Sequence, residues 1–228
     1  MTKENLPVIH SAQELDIKFP EAKGYIPPKD AAKTQALIQS GCVFTGDGQT
    51  FVPTKGLSHL LATDQPGVNK FVNDLPNTDK TRRGEDRFVT TASLQKEVSR
   101  RIQEPRDVDK RERLKDTEAC LIAFRDHPEL DKRRAINELQ NRKELPKLKQ
   151  QILNARGITT CEVSGEPLQP NAAVHHIERQ ADQPNKSLDP DNLLLVNPGP
   201  HGKIHEAEAH SPEALDDLAK QEGWPYKR

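Results

Sequence analysis

The chain has 228 residues, of which 33% are hydrophobic, 4% aromatic and 30% charged, too lean for one large core and better suited to small modules in series. No apolar run approaches the roughly 18–20 residues of a membrane span, and the widely spaced Cys42, Cys120 and Cys161 argue against a disulfide framework and fit a reducing cytoplasm. The net charge of −1 departs from the basic footprint usual in nucleic-acid binders, but the charge is unevenly spread. Residues 77–116 hold 12 Lys and Arg against 9 Asp and Glu, residues 129–157 hold 8 against 4, and residues 158–228 hold 6 against 12. The basic surface therefore precedes an acidic C-terminal part, which can lean on it for phosphate contact.

The N-terminus (MTKENLPVIHSAQELDIKF) lacks a basic start followed by an apolar block, so no secretory signal is expected. Residues 1–28 read as an irregular arm ending at Ile26-Pro27-Pro28. Residues 29–40 (KDAAKTQALIQS) read as a helix stopped by Gly41. Residues 42–44 and 49–52 flank Thr45-Gly46-Asp47-Gly48 and predict a small β-hairpin. In residues 57–72 (LSHLLATDQPGVNKFV), Leu57, Leu60 and Leu61 give one apolar helical face. After a break at Ala62-Thr63-Asp64, Pro66 opens a second helix carrying Val68, Phe71 and Val72. This pair resembles the helix-turn-helix of excisionase- or MerR-like regulators. The resemblance implies a winged-helix-like DNA-binding domain over residues 29–105. Residues 80–84 with Arg87-Phe88-Val89 would be its wing, and residues 91–102, with Leu94, Val98 and Ile102 in register, its next helix. Asn69, Lys70 and Asn73 would then face the DNA groove, and Arg82 and Arg83 would touch phosphate or minor groove. A compact α/β domain that binds protein is the bland alternative.

The charge run over residues 100–115 reads as a solvated helical face. Residues 109–126 predict an amphipathic helix through Leu114, Leu121, Ile122 and Phe124, with Cys120 near its buried side. Helices over 130–143 and 146–155 follow, so residues 106–157 read as a charged helical connector ending at Gly157.

Residues 159–164, the turn Gly165-Glu166-Pro167 and residues 171–179 predict a β-hairpin with His175-His176 on its second strand. Adjacent residues of a strand point to opposite faces, so one histidine can bind a metal while the other faces a substrate. Asn192 follows a polar loop, ahead of the apolar run 193–196. Pro198-Gly199-Pro200 starts a helix at His201, and His201 and His205, four residues apart, share one face of it. Neutral imidazoles are common metal ligands. Four of the eight histidines fall within residues 175–205, which makes a chance surface cluster a poor account. Ser211-Pro212-Glu213 opens a closing helix that ends near Gly223.

Over about residues 159–210 this array resembles the HNH (His-Me finger, ββα-metal) nuclease family, its colicin-type DNases most closely. The resemblance implies that His175, His201 and His205 hold one divalent metal ion. His176 would be the general base that activates water, its other ring nitrogen fixed by a backbone carbonyl. Asn192 would brace the loop that holds the His176 ring. Many HNH proteins carry aspartate where His175 stands, and many carry two C-x-x-C knuckles around a structural zinc. Here only Cys161 of those thiols is present, so no structural zinc is expected, and Cys161 reads as a small buried strand residue. Three imidazoles suit Zn, Ni, Co or Mn better than Mg. Arg179 and Lys203 read either as phosphate contacts or as surface charge.

The expected fold class is α+β, with mostly helical N-terminal and connector regions before a C-terminal ββα-metal finger over residues 158–228. The expected function is a cytoplasmic, metal-dependent DNA endonuclease that nicks, in phage defence, restriction or a mobile-element role. The partner is DNA, a homodimer or a regulatory protein stays open, and no membrane is involved. Rival readings are a colicin-like DNase toxin, a DNA-binding regulator with a vestigial finger, and RNA cleavage.

Overall fold

The computed structural model describes residues 9–226. It divides into two compact units between Ala135 and Ile136, each mixing helix and strand. Among the described residues no helix is long and apolar enough to cross a membrane.

The first unit is built on an antiparallel five-stranded sheet in the order β1-β2-β3-β5-β4. Strand β1 (Ile9–Ser11) lies inside the stretch expected to be an irregular arm, and it pairs with β2 (Val43–Thr45). That expectation is corrected for these residues, and residues 1–8 of the arm lie outside the described residues. The reason is local. Ser11 caps a 3₁₀ turn, accepting from the Gln13 amide at 3.2 Å, while the Glu14 carboxylate reaches back to the Ser11 amide at 3.0 Å.

Helix α1 (Pro28–Gly41) starts on its proline and turns Ala31, Thr34 and Ile38 into the core. Strand β2 returns as β3 (Thr50–Pro53) through the expected turn, where Gly48 has φ +84° and a Cβ would stand 2.7 Å from the Leu130 carbonyl. Helices α2 (Leu57–Leu60) and α3 (Gln65–Asp74) sit where the sequence places a helix pair. Asp64 caps α3, and Ala62 holds the turn with φ 45°, a left-handed conformation that glycine adopts more readily.

Strands β4 (Lys80–Arg83) and β5 (Asp86–Thr90) form the next hairpin, placing Arg82 opposite Arg87. It is no free wing, because β5 also pairs with β3 and the hairpin becomes one edge of the sheet. Thr90 caps α4 (Thr91–Gln103), which buries Leu94 and Val98 as the periodicity requires.

Helix α5 (Val108–Arg125) is not a connector. Leu114, Cys120, Leu121 and Phe124 are fully buried in the same core as Phe44, Val52 and Leu94. At about 1.5–3 kcal/mol for each large apolar side chain, that burial outweighs the charge on its outer face. Ile122, counted with the apolar face in the sequence, points outward and is 41% exposed. Helix α6 (Pro128–Glu144) follows, and its Leu130 completes the core.

In the second unit, α7 (Leu148–Arg156) ends on Gly157 in the left-handed conformation, as expected. Strand β6 (Ala173–His176) does not pair with residues 159–164. Its partner is β7 (Leu193–Val196), with His175 opposite Leu194 and His176 opposite Leu193. Residues 159–167 instead make a tight turn closed by a Thr160–Pro167 bridge, and Glu162 continues toward the other edge of β7 through its amide to the Leu195 carbonyl at 2.9 Å. The all-apolar β7 wins the pairing because both of its faces are covered. Leu193 and Leu195 pack with Leu148 and Ile152 of α7, whereas Leu194 and Val196 pack with Ile204, Leu215 and Leu218. Ile204 belongs to α8 (Pro198–Glu206), and the two leucines belong to α9 (Pro212–Glu222), capped by Ser211 and closed by Gly223 as expected.

Candidate metal centre

Cross-strand partners share a face, so His175 joins Leu194 on the side of α8, and His176 joins Leu193 on the side of α7. The adjacent histidines are split as strand geometry demands. On α8, His201 and His205 fall on one face and meet His175. One ring nitrogen from each of the three lies within 4.8 Å of the others. Ring centroids are 5.3 Å (His175–His201), 5.5 Å (His175–His205) and 4.5 Å (His201–His205) apart.

The donor set fits a divalent ion. The Nε2 atoms of His201 and His205 are 3.2 Å apart, against the about 3.3 Å expected for two nitrogens held at about 2.0–2.1 Å by one tetrahedral ion. His175 is 2% exposed, and its Nε2 is buried without a hydrogen-bond partner. A buried nitrogen without a hydrogen-bond partner, on a ring beside two further imidazoles, suits a cation as its partner. Burial, reinforced by the His201 and His205 rings, holds the His175 pKa down at about 3, so the ring stays neutral and keeps its lone pair. Burial and His205 lower His201 as well. Three protein ligands is the count general to catalytic zinc sites, structural ones having four.

His176 makes a different contact. Its Nε2 lies 2.9 Å from the Ser187 carbonyl, which can only accept, so Nε2 carries the proton and Nδ1 keeps a lone pair. Ser187 is itself fixed: it is fully buried, and its hydroxyl donates to the Pro184 carbonyl. Asn192 holds the same loop. Its Oδ1 accepts from the Glu178 amide at 2.7 Å, and its Nδ2 donates to the carbonyls of Glu178 (3.0 Å) and Lys186 (3.1 Å). A chain of short contacts thus runs from Asn192 through Lys186 and Ser187 to the His176 ring.

Cys161 sits in the turn rather than in a strand. Its Sγ accepts from the amides of Ser164 (3.5 Å) and Asn197 (3.4 Å), and the buried Asn197 side chain ties Gln169 and Pro167 to the end of β7. The turn is thus closed by hydrogen bonds to a single thiol and an amide side chain.

The charged candidates fare unevenly. Lys203 is two residues from either helical ligand, about 200° round α8. Its ammonium pairs with Glu222 and lies 6.0 Å from the centre of the Trp224 ring. It therefore belongs to the packing of α8 on α9, which corrects the phosphate role read for it. Arg179 is exposed and ion-paired with Asp182 at 3.6 Å. In the first unit, Asn73 lines a hollow with Lys80, Arg82 and Arg87, and Asn69 and Asn73 line an adjoining one with Lys55, Arg87, Glu85 and Asp86. Lys70 instead lines a hollow on the α4 side, apart from the two asparagines, and Arg83 lies out on the hairpin.

His210 escaped the sequence reading. Its ring centroid is 5.6 Å from that of His205, and its Nδ1 is buried without a hydrogen-bond partner. Burial and the nearby Arg179 lower its pKa. It arrives there because Glu208 takes a left-handed turn with φ 50°, which no residue type in the sequence announces. Arg87 and Ser187 were likewise unnamed as site residues. Compared with known proteins, the chain matches no family, no curated protein and no solved structure.

Proposed function

We infer that the chain is a metal-dependent DNA endonuclease of the HNH, His-Me finger type, its second unit being a ββα-metal finger made of β6, β7 and α8. One observation carries the reading: three imidazoles converge from a strand and a helix while the next strand residue, His176, is anchored through Nε2 with Nδ1 left to act as a base. When bound by His175, His201 and His205, a divalent ion such as Zn, Ni, Co, Mn or Mg supplies Lewis-acid neutralisation of the scissile phosphate.

His176 Nδ1 takes a proton from water as the water oxygen bonds to phosphorus and the P–O3′ bond breaks, and the departing O3′ takes a proton from a second water, leaving a 5′-phosphate and a 3′-hydroxyl. Asn192 and the Ser187 carbonyl hold the imidazole in the tautomer that this step requires. One trio per chain makes single-strand nicking the expected outcome.

Placement of DNA is assigned to the first unit, on the groove between α3 and the β4–β5 hairpin. Asn73 offers its amide to base edges there beside the cations Lys80, Arg82 and Arg87, and Asn69 lies in the adjoining hollow, where Glu85 and Asp86 offset Lys55 and Arg87. Lys70, Lys80, Arg82, Arg83 and Arg87 have no acidic partner among the described residues, whereas Arg100, Arg101, Arg125, Arg133 and Arg134 on α4–α6 are all ion-paired. Unspent charge beside amides fits a polyanion. A role in phage defence, restriction or mobile-element traffic follows from this pairing of a cutter with a DNA-reading unit.

The test is digestion of supercoiled plasmid, linear DNA and RNA with a panel of divalent ions and a chelator control. Metal-dependent nicking of plasmid supports the reading. DNA binding without cleavage by any ion overturns it in favour of a regulator, and cleavage confined to RNA overturns its substrate.

A further inference from the structure

A second basic hollow, of about 570 Å³, lies on the first unit between α1, the α2–α3 turn and the start of α5. Lys33 of α1 and Arg106, Lys110 and Arg113 at and just before the start of α5 line it from two separate parts of the chain, and Asp64, spent on capping α3, is the one carboxylate in its lining. Two of the cations are fixed. Arg113 donates to His59 Nδ1 at 3.1 Å, with the Asp30 carboxylate 3.8 Å away, and Arg106 donates to the Arg101 carbonyl at 2.9 Å and to Glu104. Glu104 is shared with Arg100, so its charge is divided.

His59 completes a preset frame. Its Nδ1 accepts from Arg113, so Nε2 carries the proton and points to Thr34 Oγ1 (3.1 Å) and the Asp30 carbonyl (3.3 Å). The two lysines are different: both are exposed, and neither has an acidic partner among the described residues. The Ser58 and Thr63 hydroxyls add uncharged donors, and Ala62, held at φ 45°, gives the hollow its floor.

We propose that this hollow is a binding site for an oligophosphate anion. Two forked guanidiniums suit phosphate oxygens, and two mobile ammoniums suit an adjacent phosphate. No aromatic side chain other than the already engaged His59 lines the hollow, so recognition is of the phosphates and not of a base. The same chemistry is offered by a free oligophosphate and by successive phosphates of a nucleic-acid backbone. The site does not depend on the nuclease reading.

The experiment uses the full chain and two double variants, Lys33→Ala/Lys110→Ala in the hollow and Arg82→Ala/Arg87→Ala in the groove. All four side chains are exposed, so the fold is expected to survive, and matched circular dichroism and melting check this. Calorimetric titration with tripolyphosphate is expected to show binding that the hollow variant weakens at least about tenfold and the groove variant leaves unchanged. If the natural source is a polynucleotide backbone, the hollow variant also lowers the salt dependence of duplex binding by a slope of about 2, for two lost phosphate contacts. Binding of tripolyphosphate with no duplex binding at all supports the site and counts against DNA placement by the first unit. Identical tripolyphosphate and duplex binding by wild type and hollow variant overturns the proposal.

Discussion

The Nε2 atoms of His201 and His205 stand 3.2 Å apart on successive turns of α8, a separation that suits an N–H···N hydrogen bond and equally two ligands of one ion. Zn, Ni or Co added to chelator-treated protein is therefore expected to bind at one equivalent. It should stabilise the second unit by about 2.7 kcal/mol at a free metal concentration of about 100 Kd. His201→Ala and His205→Ala should each remove both effects. Calorimetry and elemental analysis check this, and two equivalents per chain would contradict a single site.

His176→Ala is expected to keep metal binding and lose plasmid nicking by about 10²–10⁴-fold, the usual contribution of a positioned base. Asn192→Ala should also retain the metal, but it leaves the Glu178 amide and carbonyl without their partner, while the Lys186 carbonyl keeps the Asp189 amide. Each such orphan costs about 1–3 kcal/mol when buried. A lower melting temperature together with slower cleavage is the expected signature. Full activity in His176→Ala rejects the base assignment.

Phe124→Ala should destabilise the first unit by about 3–5 kcal/mol, because Phe124 is fully buried in its core. A helix that merely joined two domains would tolerate the change. Urea unfolding separates the two outcomes.

Ala62 has φ 45°, so Ala62→Gly releases about 1–2 kcal/mol of left-handed strain against about 0.5–1 kcal/mol of extra chain entropy in glycine. A net gain of about 0.5–1 kcal/mol in urea unfolding is expected. Gly48→Ala should go the other way, since a Cβ there meets the Leu130 carbonyl at 2.7 Å.

Glu112 accepts from Lys115 Nζ and the Tyr25 hydroxyl, both at 2.7 Å, and these two contacts pull its pKa from 4.5 down to about 2. Its folded pKa lies below its unfolded one, so its contribution is complete above about pH 4.5 and fades as pH falls toward 2. Glu112→Gln is expected to flatten that acid limb of the stability curve. An unchanged limb would show that the contacts are not maintained in solution.

Backbone periodicity made legible the shared face of His201 and His205 and the split of His175 from His176, whereas the joining of His175 to the helical pair was implied by the resemblance to the HNH motif. Helix limits were legible where the stop or start is written locally, as at Gly157, Ser211 and Gly223, whereas the caps at Asp64 and Thr90 were not read. Pairing was not legible, because it is decided at a distance. β6 lies nearer in sequence to residues 159–164 than to β7, yet the doubly buried β7 offers more apolar surface. Helix α5 misled through its charges, which coat one side of a helix whose other side is core. His210 depends on a left-handed Glu208 that composition does not foretell.

All donor atoms of the trio, and the base beside them, come from residues after the division at Ala135–Ile136, whereas both basic hollows come from residues before it. Under the nuclease proposal, cleavage and substrate placement are therefore assigned to different compact units, so a substitution in one is predicted to spare the property of the other.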